Sequence, residues 1–235
     1  MNVPFTWQAK LVEFWKKQEQ QEPCSSEHGS YNILMKSALS KFRTPLMPDR
    51  YYHIYNRGNN RENLFVENRN YAYFLRLYKK YISPIAFTLA YSLLPNHFHF
   101  LVRMKPVLEF QSLYSRQFAS FFGTYSKTIN KAYNRTGRLF EGRFKRKLVR
   151  DDEYLTHLVV YIHLNPQKHG LVSYFKDWRH SSFRELTSSR GGLVARALVF
   201  EKFGGLENFQ KAHLEITNQD AALFNWKEAG MTRFD

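Results

Sequence analysis

Cysteine is almost missing from this chain: Cys24 stands alone among 235 residues. One thiol excludes an intramolecular disulfide and any zinc site built on cysteine pairs, and it suits a reducing compartment. Acids are also short, with 20 Asp and Glu against 35 Lys and Arg, leaving a formal charge of +15. A surplus of that size is an electrostatic footprint for a polyanion, and nucleic acid fits it. The bland alternatives are a protein kept soluble by its charge, or one held on an anionic membrane surface. No run approaches the roughly 18 apolar residues of a membrane span. The first residues lack the basic-then-apolar layout of a secretory signal. The expectation is a cytoplasmic protein without a membrane partner. Internal repeats and low-complexity tracts are absent too. Aromatic residues, by contrast, abound, with 21 Phe, 15 Tyr and 4 Trp. Most must fill a core, and some can stack on unpaired bases.

The most informative stretch is Leu93-Leu94-Pro95-Asn96-His97-Phe98-His99-Phe100-Leu101-Val102-Arg103. It reads as a strand entered from a Pro95-Asn96 turn. Side chains alternate along a strand, so His97 and His99 share one face and Phe98 and Phe100 the other. Two neutral imidazoles held on one face can ligate a divalent metal. On its own, His-x-His in a core strand is more often chance than a metal site. A third ligand and a reacting group are needed.

Residues 151–166 offer both. Asp151, Asp152 and Glu153 suit a helix N-terminus. Leu155, Leu158, Val159 and Ile162 follow helical spacing. Pro166 predicts the stop, because the residue before a proline is pushed out of the helical region. His157, Tyr161 and Asn165 stand four apart and share one stripe. A buried tyrosine followed by an asparagine that ends the helix explains the same pattern.

Taken together, these blocks resemble the REP-associated tyrosine transposases, relatives of the single-tyrosine transposases of small insertion sequences within the HUH endonucleases. The resemblance spans roughly residues 48 to 185. Tyr51-Tyr52-His53-Ile54-Tyr55-Asn56-Arg57-Gly58 looks like that family's first strand, and Leu94-Pro95-Asn96-His97-Phe98-His99 like its metal-binding strand. Gly137 to Lys145 looks like its basic segment. Tyr161-Ile162-His163-Leu164-Asn165-Pro166 with Gly170-Leu171-Val172 looks like its nucleophile helix and exit. Trp178 with Ser181-Ser182-Phe183 is similar to a Trp-x-Ser-Ser-Tyr block, with extra residues and Phe for Tyr.

The spacing along the chain predicts strands over 51–57, 85–94, 97–104 and 144–149, and helices over 68–82, 108–134 and 152–164. Residues 57–60 are expected to form a turn, in which Gly58 tolerates positive φ. The order is a ferredoxin-like βαββαβ, an α+β fold with an antiparallel sheet and helices on one face. Its agreement with the HUH nuclease fold is what the resemblance implies. We expect three regions: a helical N-terminal extension and linker over 1–48, the HUH domain over 49–185, and a helical C-terminal appendage over 186–235. Within the first, residues 6–20 read as an amphipathic helix with Trp7, Leu11, Phe14 and Trp15 on one side. Within the last, helices are expected between Gly191-Gly192 and Gly204-Gly205 and from Leu206 to Ile216.

The resemblance also implies a chemistry. His97, His99 and Asn165 would hold Mg²⁺ or Mn²⁺, and Tyr161 would attack phosphorus to give a 5′-phosphotyrosine. A Gln often occupies the Asn165 position in the wider family, and Asn is one methylene shorter. A tyrosine has a pKa of about 10 and needs activation; Lys168 is a candidate helper. His157 is either an assisting proton carrier or a plain hydrogen-bonded histidine, and His163 is expected to point away. The run from Arg135 to Arg150 sets seven cations against one acid, Glu141. Arg138, Arg143, Lys145, Arg146, Lys147 and Arg150, with Lys168 and His169, are the candidate DNA contacts. The expected partner is single-stranded or hairpin DNA from palindromic repeats, bound by a monomer or homodimer near the bacterial nucleoid. A hairpin-binding protein that does not cut is the alternative.

Overall fold

The computed structural model describes residues 44–106, 112–189 and 191–218. The amphipathic helix expected over 6–20 lies outside them, as do the first residues of the helix expected from 108. The described residues between 44 and 213 belong to one compact unit. Its sheet has four strands: β1 (Tyr51–Arg57), β2 (Ala86–Leu94), β3 (His97–Met104) and β4 (Lys145–Val149). They lie in the order β2-β3-β1-β4, and every neighbouring pair is antiparallel. Helix α1 (Asn68–Tyr81) joins β1 to β2, and α2 (Ser112–Ala132) stands between β3 and β4. This is the expected βαββαβ arrangement.

The alternation along β1 and β3 decides what each face buries. Tyr52, Ile54, Phe98, Phe100 and Val102 turn to one side and are all buried. There they meet α1 and α2 in a core dominated by rings. Phe74 lies 5.4 Å from Phe98 and Tyr78 stacks 4.3 Å from Phe100, while Phe121 lies 4.7 Å from Phe74. Burying each such ring stabilises the fold by roughly 1.5–3 kcal/mol. Helix α1 starts at a capping box in which the Glu67 carboxylate and the Asn70 side chain each accept a backbone N–H. Such reciprocal caps satisfy donors that the first turn cannot.

The crossover helices occupy one face, as expected. The other face is covered by the helix that follows the sheet, α3 (Asp152–Lys168), which packs on β2 and β3. Strands β2 and β3 are buried nearly throughout and need cover on both sides. The acids at its start act as expected, with Asp151 accepting the Tyr154 N–H at 2.7 Å.

The stop expected at Pro166 is not observed: the helix runs two residues further, to Lys168. Pro166 sits in the last turn, where a lost N–H matters least. The end is made by Gly170 at φ +67°. Its N–H reaches the Gln167 carbonyl at 3.0 Å, and the Leu171 N–H reaches the Pro166 carbonyl at 2.9 Å. That pair of bonds around a left-handed glycine is a Schellman motif. Asn165 therefore stays helical and on the Tyr161 stripe.

Gly58 also differs from expectation. Its φ is −63°, and Asn60 and Arg61 carry the positive φ instead. A side chain at 58 would collide with the Glu62 carbonyl oxygen, 1.9 Å from a Cβ built there. The glycine is needed for close approach, not for backbone freedom.

The outer edge of β2 is closed by the chain after α3. The Leu93 and Ser182 N–H groups pair with the His180 and Tyr91 carbonyls, each at 2.9 Å, and Trp178 Nε1 donates to the Leu93 carbonyl at 3.0 Å. Covering an edge removes a template for unwanted strand pairing. Further on come three helices, α4 (Phe183–Thr187), α5 (Arg196–Phe203) and α6 (Leu206–Asn218). Val199 of α5 and Phe209 of α6 are fully buried.

Candidate active site

His97 and His99 share one face of β3, with ring centroids 5.2 Å apart and planes at 88°. Both are buried, at 6 % and 1 % exposure. Helix α3 lays its polar stripe over this face. The Tyr161 ring lies 5.8 Å from His99, nearly edge-on at 81°, and is 4 % exposed. Asn165, one turn later, has its side-chain amide 3.1 Å from the Tyr161 carbonyl oxygen. A carbonyl only accepts, so Nδ2 is the atom beside it. The other amide atom, Oδ1, is buried with no hydrogen-bond partner among the described residues. A buried acceptor left in this way is unfavourable by about 1–3 kcal/mol unless something else meets it.

These donors suit a divalent metal. Nδ1 of His97 lies 2.7 Å from Asn96 Oδ1, and Nδ1 of His99 lies 2.9 Å from His53 Nε2. With each Nδ1 engaged, each ring would ligate through Nε2. No group of three His, Cys, Asp or Glu among the described residues is arranged to hold a metal. Asn165 Oδ1, buried without a hydrogen-bond partner among the described residues, is a candidate third ligand. Two imidazoles and one amide oxygen match a borderline-to-hard cation with open positions.

Charges around Tyr161 are positive. Lys168 Nζ stands 5.8 Å over the Tyr161 ring, and His169 lies 4.9 Å from His97. His157 is half-buried one turn before Tyr161. Burial holds its pKa below the usual histidine value, against the opposing pull of Glu153. His163 points away, as expected: its ring atoms meet Ser182 Oγ at 2.7 Å and His213 Nε2 at 2.9 Å.

The register of β4 sorts the basic run. Lys145 pairs with Tyr55 and Lys147 with His53, so both lysines share the face of His97 and His99. Lys147 Nζ also stands 5.0 Å over the Tyr154 ring. Arg146 pairs with Ile54 and turns to the opposite face, where it reaches Ser115 Oγ at 3.3 Å. Burial pushes its pKa down. Arg138, Arg143 and Arg150 are exposed. Glu141, the single acid of the segment, pairs with Arg57 at the end of β1, which lowers its pKa. The same place is tied by a bridge between Gly58 and Phe140. The acid anchors the segment to the sheet instead of neutralising one of its own cations.

Sequence reasoning passed over His53 and Tyr55. Tyr55 lies directly across from His99 in the β1–β3 register, and its ring is 6.1 Å from that of His99. His53 is held neutral by burial and the nearby Lys147, with its pKa lowered to about 3. Their equal parity in a strand placed beside the His-x-His strand was the available signal.

No protein-family model matches the chain. It is 33 % identical over 104 residues to a Haemophilus influenzae protein described as a REP-associated tyrosine transposase. The chain is related in sequence to that transposase. The match takes in 41 % of this chain and 58 % of the relative, so the chain spans little more than half the relative's length. Among solved structures, a REP-associated tyrosine transposase bound to a REP hairpin is similar at 21 % identity and a TM-score of 0.49, over 63 % of this chain and 84 % of that one. A bacterial tRNA(His) guanylyltransferase-like protein in complex with GTP is similar at 11 % identity and a TM-score of 0.38, over 60 % of this chain and 74 % of that one. Likenesses at these levels do not bear on activity. No helix among the described residues is long and apolar enough to cross a membrane.

Proposed function

We propose that this chain is a metal-dependent endonuclease and strand transferase for single-stranded or hairpin DNA, working through a 5′-phosphotyrosine on Tyr161. The observation that carries this reading is a pair of strand histidines with a buried tyrosine 5.8 Å from one of them, on a helix whose Asn165 has a buried amide oxygen without a hydrogen-bond partner among the described residues. The sequence relationship to a transposase supports it. The substrate expected is a palindromic repeat of the REP type, in which a stem gives specificity and an unpaired strand gives access.

Tyr161 Oη would form a bond to phosphorus while the bond from phosphorus to the 3′ oxygen breaks. The tyrosyl proton leaves, and the departing oxygen becomes a 3′-hydroxyl. The ester keeps the phosphodiester energy, so the reverse attack by a 3′-hydroxyl rejoins DNA without a nucleotide cofactor. Lys168 places positive charge beside the tyrosine, where negative charge would develop on its oxygen during attack. His157, neutral at pH 7, can accept a proton on the same stripe. Lys145 and Lys147 offer charges for the phosphates of the incoming strand. His97, His99 and Asn165 would hold Mg²⁺ or Mn²⁺, which when bound supplies Lewis-acid polarisation of the scissile phosphate.

The test is a labelled hairpin oligonucleotide incubated with Mn²⁺ and run on a denaturing gel. Wild type should give a protein-linked DNA band, lost in EDTA. Tyr161→Phe should bind the hairpin as wild type does and give no band. A band in EDTA would remove the metal from the mechanism. A hairpin-binding protein that never gives the band is the rival outcome.

A further inference from the structure

The β1–β3 register places His53 diagonally across from His99 on the same face of the sheet. Their rings stack at 22° with centroids 5.1 Å apart, and His53 Nε2 lies 2.9 Å from His99 Nδ1. At 5 % and 1 % exposure, neither ring has bulk water to supply a missing proton or lone pair. One hydrogen must therefore sit between the two nitrogens, since two facing lone pairs or two facing protons would repel. Two arrangements satisfy this. In one, His53 Nε2–H donates to His99 Nδ1, and a neutral His99 then carries its own proton on Nε2. In the other, His99 Nδ1–H donates to His53 Nε2, and His99 Nε2 bears the lone pair.

Only the second leaves His99 able to ligate through Nε2. We propose that His53 is a positioning residue that accepts the Nδ1 proton of His99 and so presets His99 as a metal ligand before any metal arrives. The inference rests on the reading of His97, His99 and Asn165 as a metal centre. Asn96 does the same for His97, where the partner atom is an amide oxygen 2.7 Å from Nδ1 and can only accept. At His99 the partner of Nδ1 is a second imidazole, with His53 Nε2 2.9 Å away. Tyr55, 4.6 Å from the His53 ring, packs against it and limits its rotation. Hydrogen-bond partners of this kind fix ring orientation and raise ligand basicity, and their loss weakens metal affinity by about 10–100-fold.

Two measurements on the full chain test this. Imidazole nitrogen shifts of metal-free protein, read by NMR, report the tautomer of each ring. His99 should carry its proton on Nδ1 in wild type and lose that preference in His53→Leu. Mn²⁺ affinity, read from the electron paramagnetic resonance signal of unbound ion, should weaken about 10–100-fold in His53→Leu. It should recover in His53→Gln, whose amide oxygen can accept the same proton. Hairpin affinity in EDTA and thermal unfolding of His53→Gln should match wild type, which separates positioning from folding. An Nε2-protonated His99 in metal-free wild type overturns the inference. So does equal Mn²⁺ loss in the Leu and Gln variants. Absence of Mn²⁺ binding in wild type with the Nδ1 tautomer intact would instead overturn the metal reading of the site.

Discussion

Two pairs of buried histidines sit on α3 and its neighbours, each with ring nitrogens 2.9 Å apart, and they do opposite things. In the first, His163 and His213 form a closed chain. Ser182 Oγ lies 2.7 Å from His163 Nε2, and His213 Nδ1 lies 2.7 Å from the Phe209 carbonyl. Both nitrogens of both rings are used within the protein, and the chain starts and ends on backbone, because Ser182 Oγ also accepts the Tyr91 N–H at 2.8 Å. It resembles a catalytic relay in composition, yet all three side chains are fully buried. It ties α3 to α6 and to the edge of β2. In the second pair, His53 leads to His99, whose ring lies 5.8 Å from that of Tyr161, and Lys168 stands over Tyr161. Burial and histidine chemistry are common to both. The first chain of bonds terminates on the backbone, whereas the second pair ends in a ring contact with Tyr161, the proposed nucleophile.

Substitutions should split the two pairs. His99→Ala should lower hairpin cleavage by at least about 100-fold, beyond the range for losing a mere partner of a ligand. Its unfolding midpoint in urea should stay close to wild type. His163→Ala should do the reverse. It leaves Ser182 and His213 without their buried partner, and should destabilise the fold by about 2–4 kcal/mol. Cleavage per folded molecule should change by less than about twofold. If His163→Ala abolished cleavage in protein still folded, the closed chain would have a part in the chemistry.

Acid should weaken the closed chain, as it should the other buried or half-buried histidines, whose pKa values burial also lowers. Burial depresses both pKa values, to about 4 for His213 and well below the usual range for His163, where the His213 charge adds to the effect. The unfolded chain then binds protons that the folded chain refuses, starting near a pH of about 6.5. The stability these groups confer is full above that pH and falls as pH drops toward about 4. Urea midpoints at pH 7 and pH 5 should show it, and His163→Ala should show a shallower loss. A midpoint that did not move between the two pH values would contradict the neutral chain.

A smaller effect sharpens the site itself. Lys145 and Lys147 face the histidines and Arg146 does not. Lys145→Ala with Lys147→Ala should flatten the log-affinity versus log-salt slope for hairpin DNA by about 0.7–0.9 for each phosphate left without its lysine. Arg146→Ala should leave that slope unchanged and lower stability instead. Equal slopes in both variants would mean that affinity follows net charge alone.

What was legible in the sequence was local. The parity of His97 and His99 and the four-residue step from Tyr161 to Asn165 are fixed by strand and helix geometry, and both survive in three dimensions. His53 was legible only in its parity, because its link to His99 depends on register between strands more than forty positions apart. Arg146 was legible in principle. Alternation within Arg143 to Arg150 puts only some of those charges on the face beside the nucleophile helix, and the register with β1 shows that Lys145 and Lys147 are there and Arg146 is not. Pro166 misled because the local rule against helix before proline competes with the Gly170 cap four residues on, and the cap prevails. Ser181-Ser182 could be matched to a pattern, but its work at the β2 edge and on His163 required the fold.

The most direct test of the central claim is to find the nucleophile on the covalent product. Trypsin cutting after Arg150 and Lys168 would release one peptide that holds both Tyr154 and Tyr161. Fragmentation of that peptide from the hairpin adduct should place the nucleotide phosphate on Tyr161. Phosphate on Tyr154, or on a tyrosine outside the peptide, would contradict the account.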